Sequence, residues 1–353
     1  MSLPKTVAID LHAVIVAVTK EVPRILTVQL PGESIEPTSG AQARAPLDAL
    51  ASGPLDPGGG RTLELELRGW VREQTGLGLG YVEQLYTFGD RNRGLGVGAP
   101  GMENPDGSEG GLQSDLSRQR VISVAYLALV REAEPTGDSP ARWQDGYRFL
   151  PWEDWREGRP SLLADAIGPG LERWIDASES LGLQRLRRER CEIAFGYGGV
   201  LWDEERVLER YELLYEAGMV EEALRDDSLI AASLRAQQAL PLGEPMAFDH
   251  RRILATALGR LRGKLKYRPV VFELLPPTFT LFQLQRVVEA LSGVRLHKQN
   301  FRRLVDKGGL VEGTGRLEPH TGGRPAELFR FRREALRERP APGVGLPAAR
   351  VGG

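Results

Sequence analysis

The chain has 353 residues, of which 41% are hydrophobic and 27% are charged, and its formal net charge is −2. This composition is typical of a globular protein, excludes wholesale disorder and, at this length, allows two or three domains. The longest clean apolar run, Val121–Val130, is about half as long as a membrane span, so we expect no membrane segment.

The single cysteine, Cys191, limits the chemistry open to the chain. One cysteine cannot form an intrachain disulfide, and with four scattered histidines it supplies no zinc-finger or iron–sulfur ligand set. The N-terminal residues lead straight into alternating apolar and polar positions, unlike a secretory signal peptide. We therefore expect a cytoplasmic protein in which Cys191 is a structural thiol.

The first half of the chain predicts an α/β domain. Residues 31–60 are rich in Gly, Pro, Ala and Ser and are expected to form a loop, as are the Gly-rich residues 89–118. Thr62 begins a helix whose apolar residues share one face. The predicted strands are Val7–Val18, Ile25–Leu30, Tyr81–Phe88 and Val121–Val130.

The helix after Thr62 ends in Arg72-Glu73-Gln74-Thr75-Gly76-Leu77, which resembles the Nudix box. That motif reads Gly, five residues, Glu, seven residues, Arg-Glu-apolar-any-Glu-Glu-any-Gly-apolar. Setting Gly76 and Leu77 on its final pair places its two adjacent glutamates on Glu73 and Gln74. Its Arg-Glu pair, its isolated glutamate and its opening glycine then fall on Gly69, Trp70, Arg61 and Leu55.

One of the four Nudix glutamates therefore remains, which bears on hydrolysis. A Mg²⁺ site needs hard oxygen ligands at ~2.0–2.1 Å, and helix residues three or four apart can converge on one ion. Trp70 and Gln74 flank Glu73, and Glu66 lies seven residues away, ~10 Å along the helix axis. We expect no catalytic residue and no metal ligand here, although the pocket can still bind a nucleotide-like effector, and no cofactor is required.

Two other motifs carry less weight. Gly96–Gly101 fits GxGxxG, but the residues after it open a helix poorly, which argues against a dinucleotide fingerprint. Trp152, Trp155 and Trp174 are expected in the core, with stacking on an adenine as the alternative.

Residues 171–248 predict a helical region with an acidic surface. Asp203–Ala217 carries Val207, Leu208, Tyr211 and Leu214 at helical spacing. A spacer that packs on the α/β domain and a dimerisation element both fit this pattern.

The C-terminal third differs in charge from the rest. Residues 249–339 carry a net charge of +11, and residues 1–248 carry −14. A basic region on an acidic body suggests a polyanionic partner that contacts only that region.

The same region predicts a winged helix. Thr280, with Gln283 three residues later, forms a capping-box pattern that begins the second of three helices. A short third helix and a hairpin with a turn-rich tip follow, as in a winged helix-turn-helix. The predicted elements are a helix over Asp249–Leu265, an extended stretch over Tyr267–Leu275, a helix from Thr280 to Gly293, a helix over His297–Lys307, and a hairpin of Leu310–Glu312 with Glu327–Phe331.

The third helix has the side chains of a recognition helix. Arg and Lys can read guanine O6 and N7, and Gln and Asn can read adenine N6 and N7. An arginine at the wing tip can reach phosphate or the minor groove. The predicted DNA-binding residues are Lys298, Gln299, Asn300, Arg302, Arg303 and, at the wing tip, Arg324.

A wider pattern carries a family resemblance. The segments are Tyr86–Asp90, Arg120–Leu129, Leu265–Leu275, Phe279–Leu281, Asn300–Arg303 and Gly322–Pro325. Over about residues 5–170 and 249–333 the chain resembles the Nudix-related transcriptional regulators of NAD metabolism. The long loop Gly94–Arg118 and the helical region before residue 249 depart from that family.

The resemblance implies an α+β fold. Its parts are an N-terminal Nudix-like α/β/α sandwich (1–170), a helical insertion (171–248), a C-terminal winged helix-turn-helix (249–336) and a disordered tail (337–353). It also implies a homodimeric repressor of NAD biosynthesis or salvage genes. The Nudix-like domain would sense an NAD-related metabolite such as ADP-ribose, and the winged helix would bind double-stranded operator DNA. We expect Arg72, Glu73, Phe88 and Asp90 near the effector.

Two other functions stay open from the sequence. One is an active Nudix-type ADP-ribose or nucleotide pyrophosphatase with an appended domain. The other is a scaffold in which the basic face of the third helix binds no nucleic acid.

Overall fold

The computed structural model describes residues 7–30, 46–56, 58, 62–89, 120–136, 140–226, 242–319, 325–338 and 343–344. No helix within these ranges is long and apolar enough to cross a membrane. The helices are α1 Leu63–Thr75, α2 Gly146–Phe149, α3 Gly168–Asp176, α4 Leu181–Phe195, α5 Val207–Glu216, α6 Glu221–Asp226, α7 His250–Tyr267, α8 Leu281–Ser292, α9 Lys298–Gly308 and α10 Ala335–Glu338.

A six-stranded mixed sheet forms the centre of the N-terminal part, in the order β4–β5–β1–β3–β2–β6. Among the residues that the structure describes, β1 and β5 are the neighbouring strands of this sheet that pair in parallel, and its other neighbours are antiparallel. Lys20 and Glu21 connect β1 to β2 with φ values of 49° and 65°, the positive region that a tight hairpin turn requires. The strands are β1 Val7–Thr19, β2 Val22–Leu30, β3 Leu47–Pro54, β4 Tyr81–Phe88, β5 Arg120–Leu129 and β6 Ala141–Asp145.

Helices cover both faces of this sheet. On one face, Leu67 and Val71 of α1 pack with the inward residues of β1 and β5. On the other face, Leu254 and Leu261 of α7 belong to the core that contains Val14 of β1. The alternation along β1 and β5 sends neighbouring side chains to opposite layers. The predicted α/β/α sandwich is therefore confirmed.

Helix α7 differs from its predicted role. The sequence assigned Asp249–Leu265 to the winged helix as its first helix, whereas α7 covers the sheet and also contacts α8 and α5. Its buried residues lie nearly all round its circumference, from His250 to Leu265. Helical spacing identifies an apolar face but not the neighbour that covers it, so periodicity alone assigned this helix to the wrong layer.

The helical insertion packs on the side of α7 that faces away from the sheet. Tyr211 and Leu214 of α5 are fully buried in the shared core. Ion pairs join the insertion to α7, with Arg252 to Glu212 at 2.7 Å and Arg251 to Glu222. The insertion is thus an added layer of the sandwich.

Three short segments also differ from the sequence predictions. Leu47–Pro54 is strand β3 inside the stretch predicted as a loop, because pairing with β1 and β2 satisfies its backbone on both sides. Val270–Leu274 forms a 3₁₀ turn instead of an extended stretch. In the predicted tail, Val344 is buried and donates its N–H to Leu265 O at 2.9 Å.

The C-terminal part is a winged helix-turn-helix. Helices α8 and α9 are followed by strands that pair with a short strand before α8, in the order β7–β9–β8. Phe272 stacks on Phe331 at a centroid distance of 4.4 Å and closes this sheet against the 3₁₀ turn. The strands are β7 Phe279–Thr280, β8 Val311–Glu318 and β9 Ala326–Phe331. The α+β fold class predicted from the sequence is confirmed.

Candidate nucleic-acid interface and sensing face

Helix α8 begins at the capping box that the sequence predicts. The Thr280 hydroxyl accepts the Gln283 N–H at 3.1 Å, and Gln283 Oε1 accepts the Thr280 N–H at 2.8 Å. Two backbone donors that lack partners in the first turn are thereby satisfied. Gly293 ends the helix in the left-handed conformation, with φ 75°.

The turn between α8 and α9 is held by a buried carboxylate. Glu289 Oε1 accepts the Leu296 N–H at 3.0 Å and the Gln285 amide at 2.8 Å, while Arg286 and Arg295 bond its other oxygen. Burial opposes the charge, but these hydrogen bonds outweigh it and hold the pKa of Glu289 below its ordinary value. The turn therefore holds α9 in a defined place relative to α8.

The sequence analysis did not identify Gln285 and Glu289. Their signal was available, because a Gln and a Glu four residues apart lie on one face of α8, and both are buried. A polar pair on an otherwise apolar helix face indicates a fixed neighbour that needs hydrogen bonds.

Helix α9 presents the predicted recognition face to solvent. Phe301 and Val305 are buried and anchor the helix to the winged-helix core. Asn300 Oδ1 lies 3.5 Å from Nη2 of Arg303, an arrangement within the exposed face. The five predicted residues on this helix are all exposed: Lys298, Gln299, Asn300, Arg302 and Arg303.

The wing adds a cation that the sequence analysis did not identify. Arg316 on β8 is exposed, near the end of the strand that leads to the wing tip. Arg330 of β9, by contrast, pairs with Glu312 at 2.6 Å. Arg324, predicted at the wing tip, lies outside the described residues.

The predicted effector residues fall into two groups. Arg72 and Glu73 lie side by side on α1, both exposed. Phe88 is buried in the core on the opposite face of the sheet, where its ring contacts Tyr86 at 5.2 Å. The structure therefore brings Arg72 and Glu73 together and separates them from Phe88. Asp90 lies outside the described residues.

Two side chains of α1 bond the backbone of β3 at the positions aligned with Nudix glutamates. The Trp70 indole donates to Pro54 O at 3.0 Å. Gln74 accepts the Ser52 N–H at 3.3 Å and donates to Ser52 O at 2.6 Å. Neither an indole nor an amide bonded in this way supplies the carboxylate oxygens by which a protein usually binds Mg²⁺. At these two positions the chain therefore lacks the carboxylates of the Nudix box.

The tryptophans predicted for the core lie there in two of three cases. Trp152 and Trp155 are buried, and Trp155 packs on Trp202 at 4.4 Å between ring centroids. Trp174 is partly exposed under the guanidinium of Arg187, 4.2 Å from the ring centroid.

Comparison with known sequences gives matches to part of the chain. Residues 271–331 match the family model of the NrtR DNA-binding winged helix domain. A stretch of 95 residues is 42% identical to the ADPR responsive transcriptional repressor NtrR of Acinetobacter baylyi. That stretch covers 27% of this chain and 37% of the repressor's own length.

A solved structure is similar in fold over nearly the whole chain. NrtR of Shewanella oneidensis, in complex with a 27mer DNA, is 19% identical with a TM-score of 0.51, over 93% of this chain and 95% of that one. A MutT/nudix family protein of Enterococcus faecalis is 15% identical with a TM-score of 0.48, over 94% and 90%. The resemblance to Nudix-related transcriptional regulators is thus confirmed: the chain has the fold of NrtR, a Nudix-like sandwich joined to a winged helix of the NrtR DNA-binding type.

Proposed function

We propose that the chain is a DNA-binding transcriptional repressor of NAD biosynthesis or salvage genes. Its Nudix-like domain senses an NAD-related nucleotide such as ADP-ribose. The observation that carries the proposal is the exposed face of α9, where Arg302 and Arg303 stand beside Gln299 and Asn300. These side chains have the donors and acceptors that read base edges in the major groove.

Charge restricts where the DNA lies. Residues 268–339, which include the winged helix, carry a net charge of +6 and bind the phosphate backbone, and the −9 of residues 1–267, which include the sandwich, the insertion and α7, repels it. Exposed Arg316 places a further cation on the wing, where winged-helix proteins contact the backbone or the minor groove. The duplex therefore contacts α9 and the wing and avoids the sandwich.

The sandwich senses its ligand without hydrolysing it. Trp70 and Gln74 occupy two glutamate positions of the Nudix box, and both are bonded to the backbone of β3. Glu73 remains exposed next to Arg72, a pair suited to contact the polar groups of a nucleotide. The ADP-ribose response of the Acinetobacter repressor supports this choice of effector.

The repressor acts as a homodimer in this proposal. Helix-turn-helix proteins bind two half-sites one helical turn apart, so a pair of α9 helices reads a palindromic operator. Effector binding favours a geometry in which the two helices no longer match that spacing, and the protein leaves the DNA by a shift of population. The exposed apolar residues Leu181 and Leu186 on α4 are compatible with a dimer contact through the insertion.

Fluorescence anisotropy tests the proposal. Duplexes tiled across the upstream region of the gene are titrated at ~150 mM salt, because affinity for DNA is meaningful only at a stated salt concentration. Specific binding that ADP-ribose or NAD releases supports the proposal. Absence of specific binding to any tile contradicts it.

A hydrolysis assay separates the repressor from a pyrophosphatase. The chain is incubated with ADP-ribose and Mg²⁺, and AMP is followed by chromatography. The proposal expects no AMP above the rate of the Glu73→Gln variant. AMP formation that Glu73→Gln abolishes would establish the enzyme instead.

A further inference from the structure

The C-terminal end of α8 is held from across the domain boundary. The Tyr147 hydroxyl donates to Ala290 O at 2.8 Å, and Nε of Arg262 donates to Leu291 O at 3.2 Å. The backbone N–H of Trp155 donates to Gly293 O at 2.7 Å. The carbonyls at the end of a helix have no partner within it, and here residues of the sandwich side supply them.

A buried carboxylate organises the donors. Glu153 accepts from Nε and Nη2 of Arg210 at 2.6 and 2.9 Å, and from Nη1 of Arg262 at 2.6 Å. The side chains of all three residues are at most 1% exposed. Arg210 belongs to α5 of the insertion and Arg262 to α7, so one carboxylate connects the sandwich, the insertion and the helix between them.

Gly293 shows how closely these parts approach. Its φ of 75° favours glycine, and a Cβ at this position would overlap the Glu153 carbonyl oxygen and lie 2.9 Å from the Tyr147 hydroxyl. The backbone of the α8–α9 turn therefore lies directly on residues 147–153.

The exposed side of the same turn is held as well. Arg295 pairs with Glu157 at 2.9 Å and with Glu21 at 3.4 Å, and Arg286 of α8 pairs with Glu21 at 3.3 Å. Glu21 lies in the β1–β2 hairpin turn, so the contacts run from the central sheet to the start of α9. Exposed pairs add little stability, but they limit the directions in which the turn can move.

We propose that Tyr147, Glu153 and Arg262 are positioning residues for DNA recognition. They hold the end of α8, and through it the α8–α9 turn, at a set place on the sandwich, and so determine the orientation of α9. The inference rests on the proposed function, because it takes α9 as the element that reads DNA. It also gives the insertion a role, since Arg210 holds Glu153 from the far side.

Tyr147→Phe tests the inference with minimal change, because it removes only the hydroxyl that bonds Ala290 O and faces Arg262. The matched control is Tyr197→Phe, which removes a hydroxyl that donates to Leu163 O at 3.2 Å, away from the winged helix. Both variants are studied as full chains, well below their unfolding temperature, so that the folded fraction stays near one.

The first measurement is DNA affinity. A duplex that the wild type selects from a random pool serves as the specific ligand, and poly(dI-dC) as the non-specific one. Tyr147→Phe should lower the ratio of specific to non-specific affinity about fivefold, the equivalent of one net hydrogen bond. Tyr197→Phe should leave the ratio unchanged. A change that only weakened the fold would not alter this ratio among folded molecules.

The second measurement is amide hydrogen exchange without DNA. The N–H groups of Trp155 and Leu296 report the cross-boundary bond and the turn. In Tyr147→Phe we expect both amide hydrogens to exchange about fivefold faster than in the wild type. In Tyr197→Phe we expect their exchange rates to stay unchanged. Unchanged exchange and an unchanged affinity ratio would overturn the inference. A wild type that selects no duplex would instead refute the proposed function, and the exchange result would still decide whether Tyr147 holds the turn.

Discussion

Gly53 of β3 lies against the indole ring of Trp70, and a Cβ at position 53 would overlap that ring. The bond from the indole to Pro54 O keeps Trp70 in place. We therefore expect Gly53→Ala to lower the free energy of unfolding by about 1–3 kcal/mol, as overpacking does.

Urea unfolding measures this change, with Gly69→Ala as the control on α1. A Cβ at Gly69 meets nothing within 4 Å, and alanine favours a helix, so this variant should gain up to about 1 kcal/mol. Equal midpoints for the two variants would show that the indole moves freely.

The arginines of α9 should contribute to DNA affinity individually. Arg302→Ala and Arg303→Ala each remove an exposed guanidinium from the recognition face. Loss of a bidentate base contact costs about 1–3 kcal/mol of binding free energy and relaxes specificity at one base position. Loss of a phosphate contact instead reduces the slope of log affinity against log salt concentration by about one. Anisotropy titrations over a range of salt concentrations distinguish the two.

Arg173→Ala makes the same change of charge at an exposed position of α3 and should leave binding unchanged. An equal loss of affinity in Arg173→Ala would mean that overall charge, and not the face of α9, controls binding.

Acid should weaken the junction around Glu153. Burial opposes its charge, but Arg210 and Arg262 outweigh the burial and hold the pKa of this carboxyl below its ordinary value. A depressed folded-state pKa gives stability that is present above the unfolded value of about 4.3 and is lost as pH falls through the folded value. Thermal unfolding from about pH 3 to 7 should show this loss.

Glu153→Gln should lower the free energy of unfolding by about 3–5 kcal/mol at neutral pH, because two buried guanidinium groups lose their counter-charge. Its stability should also fall less steeply in acid. Glu157→Gln, at a side chain that is 85% exposed, serves as the control and should follow the wild type. If the stability of Glu153→Gln fell with decreasing pH as steeply as that of the wild type, Glu153 would be excluded as the source of the acid sensitivity.

Cys191 should resist alkylation in the folded chain. It is 2% exposed, and burial raises the pKa of its thiol to about 11. Since the thiolate is the reactive form, iodoacetamide at about pH 8 should label the native protein at least about a hundredfold more slowly than the unfolded protein. Mass spectrometry over time measures both rates, and rapid native labelling would place the thiol in contact with solvent.

The start of α8 and the exposed face of α9 could be predicted correctly, because residues close in sequence determine them. The capping box of Thr280 and Gln283 begins α8 where expected, and the exposed face of α9 follows from helical spacing around Phe301. Strand β3 could not be predicted in this way, because Leu47–Pro54 contains no β-branched residue and forms a strand through its two neighbours.

Prediction of the sensing face was limited for a similar reason. The motif alignment identified Trp70 and Gln74 as substitutions, but their bonds to Ser52 and Pro54 join segments 16 to 22 residues apart. Phe88 was chosen because we expected it on or near the former substrate face. Its side chain lies in the other layer from Val82, six residues earlier, because a register shift in β4 between Gln84 and Thr87 interrupts the alternation of side chains.

The position of α7 has a consequence for dividing the chain. A fragment that starts at Asp249 would contain α7 without the sheet that it covers. Leu254, Ala257 and Leu261 would then be exposed to water. A fragment that starts after Tyr267 would leave α7 behind but lose the donors for Ala290 and Leu291. Neither fragment is a self-sufficient DNA-binding unit. The sandwich and the winged helix should therefore unfold together in one calorimetric transition.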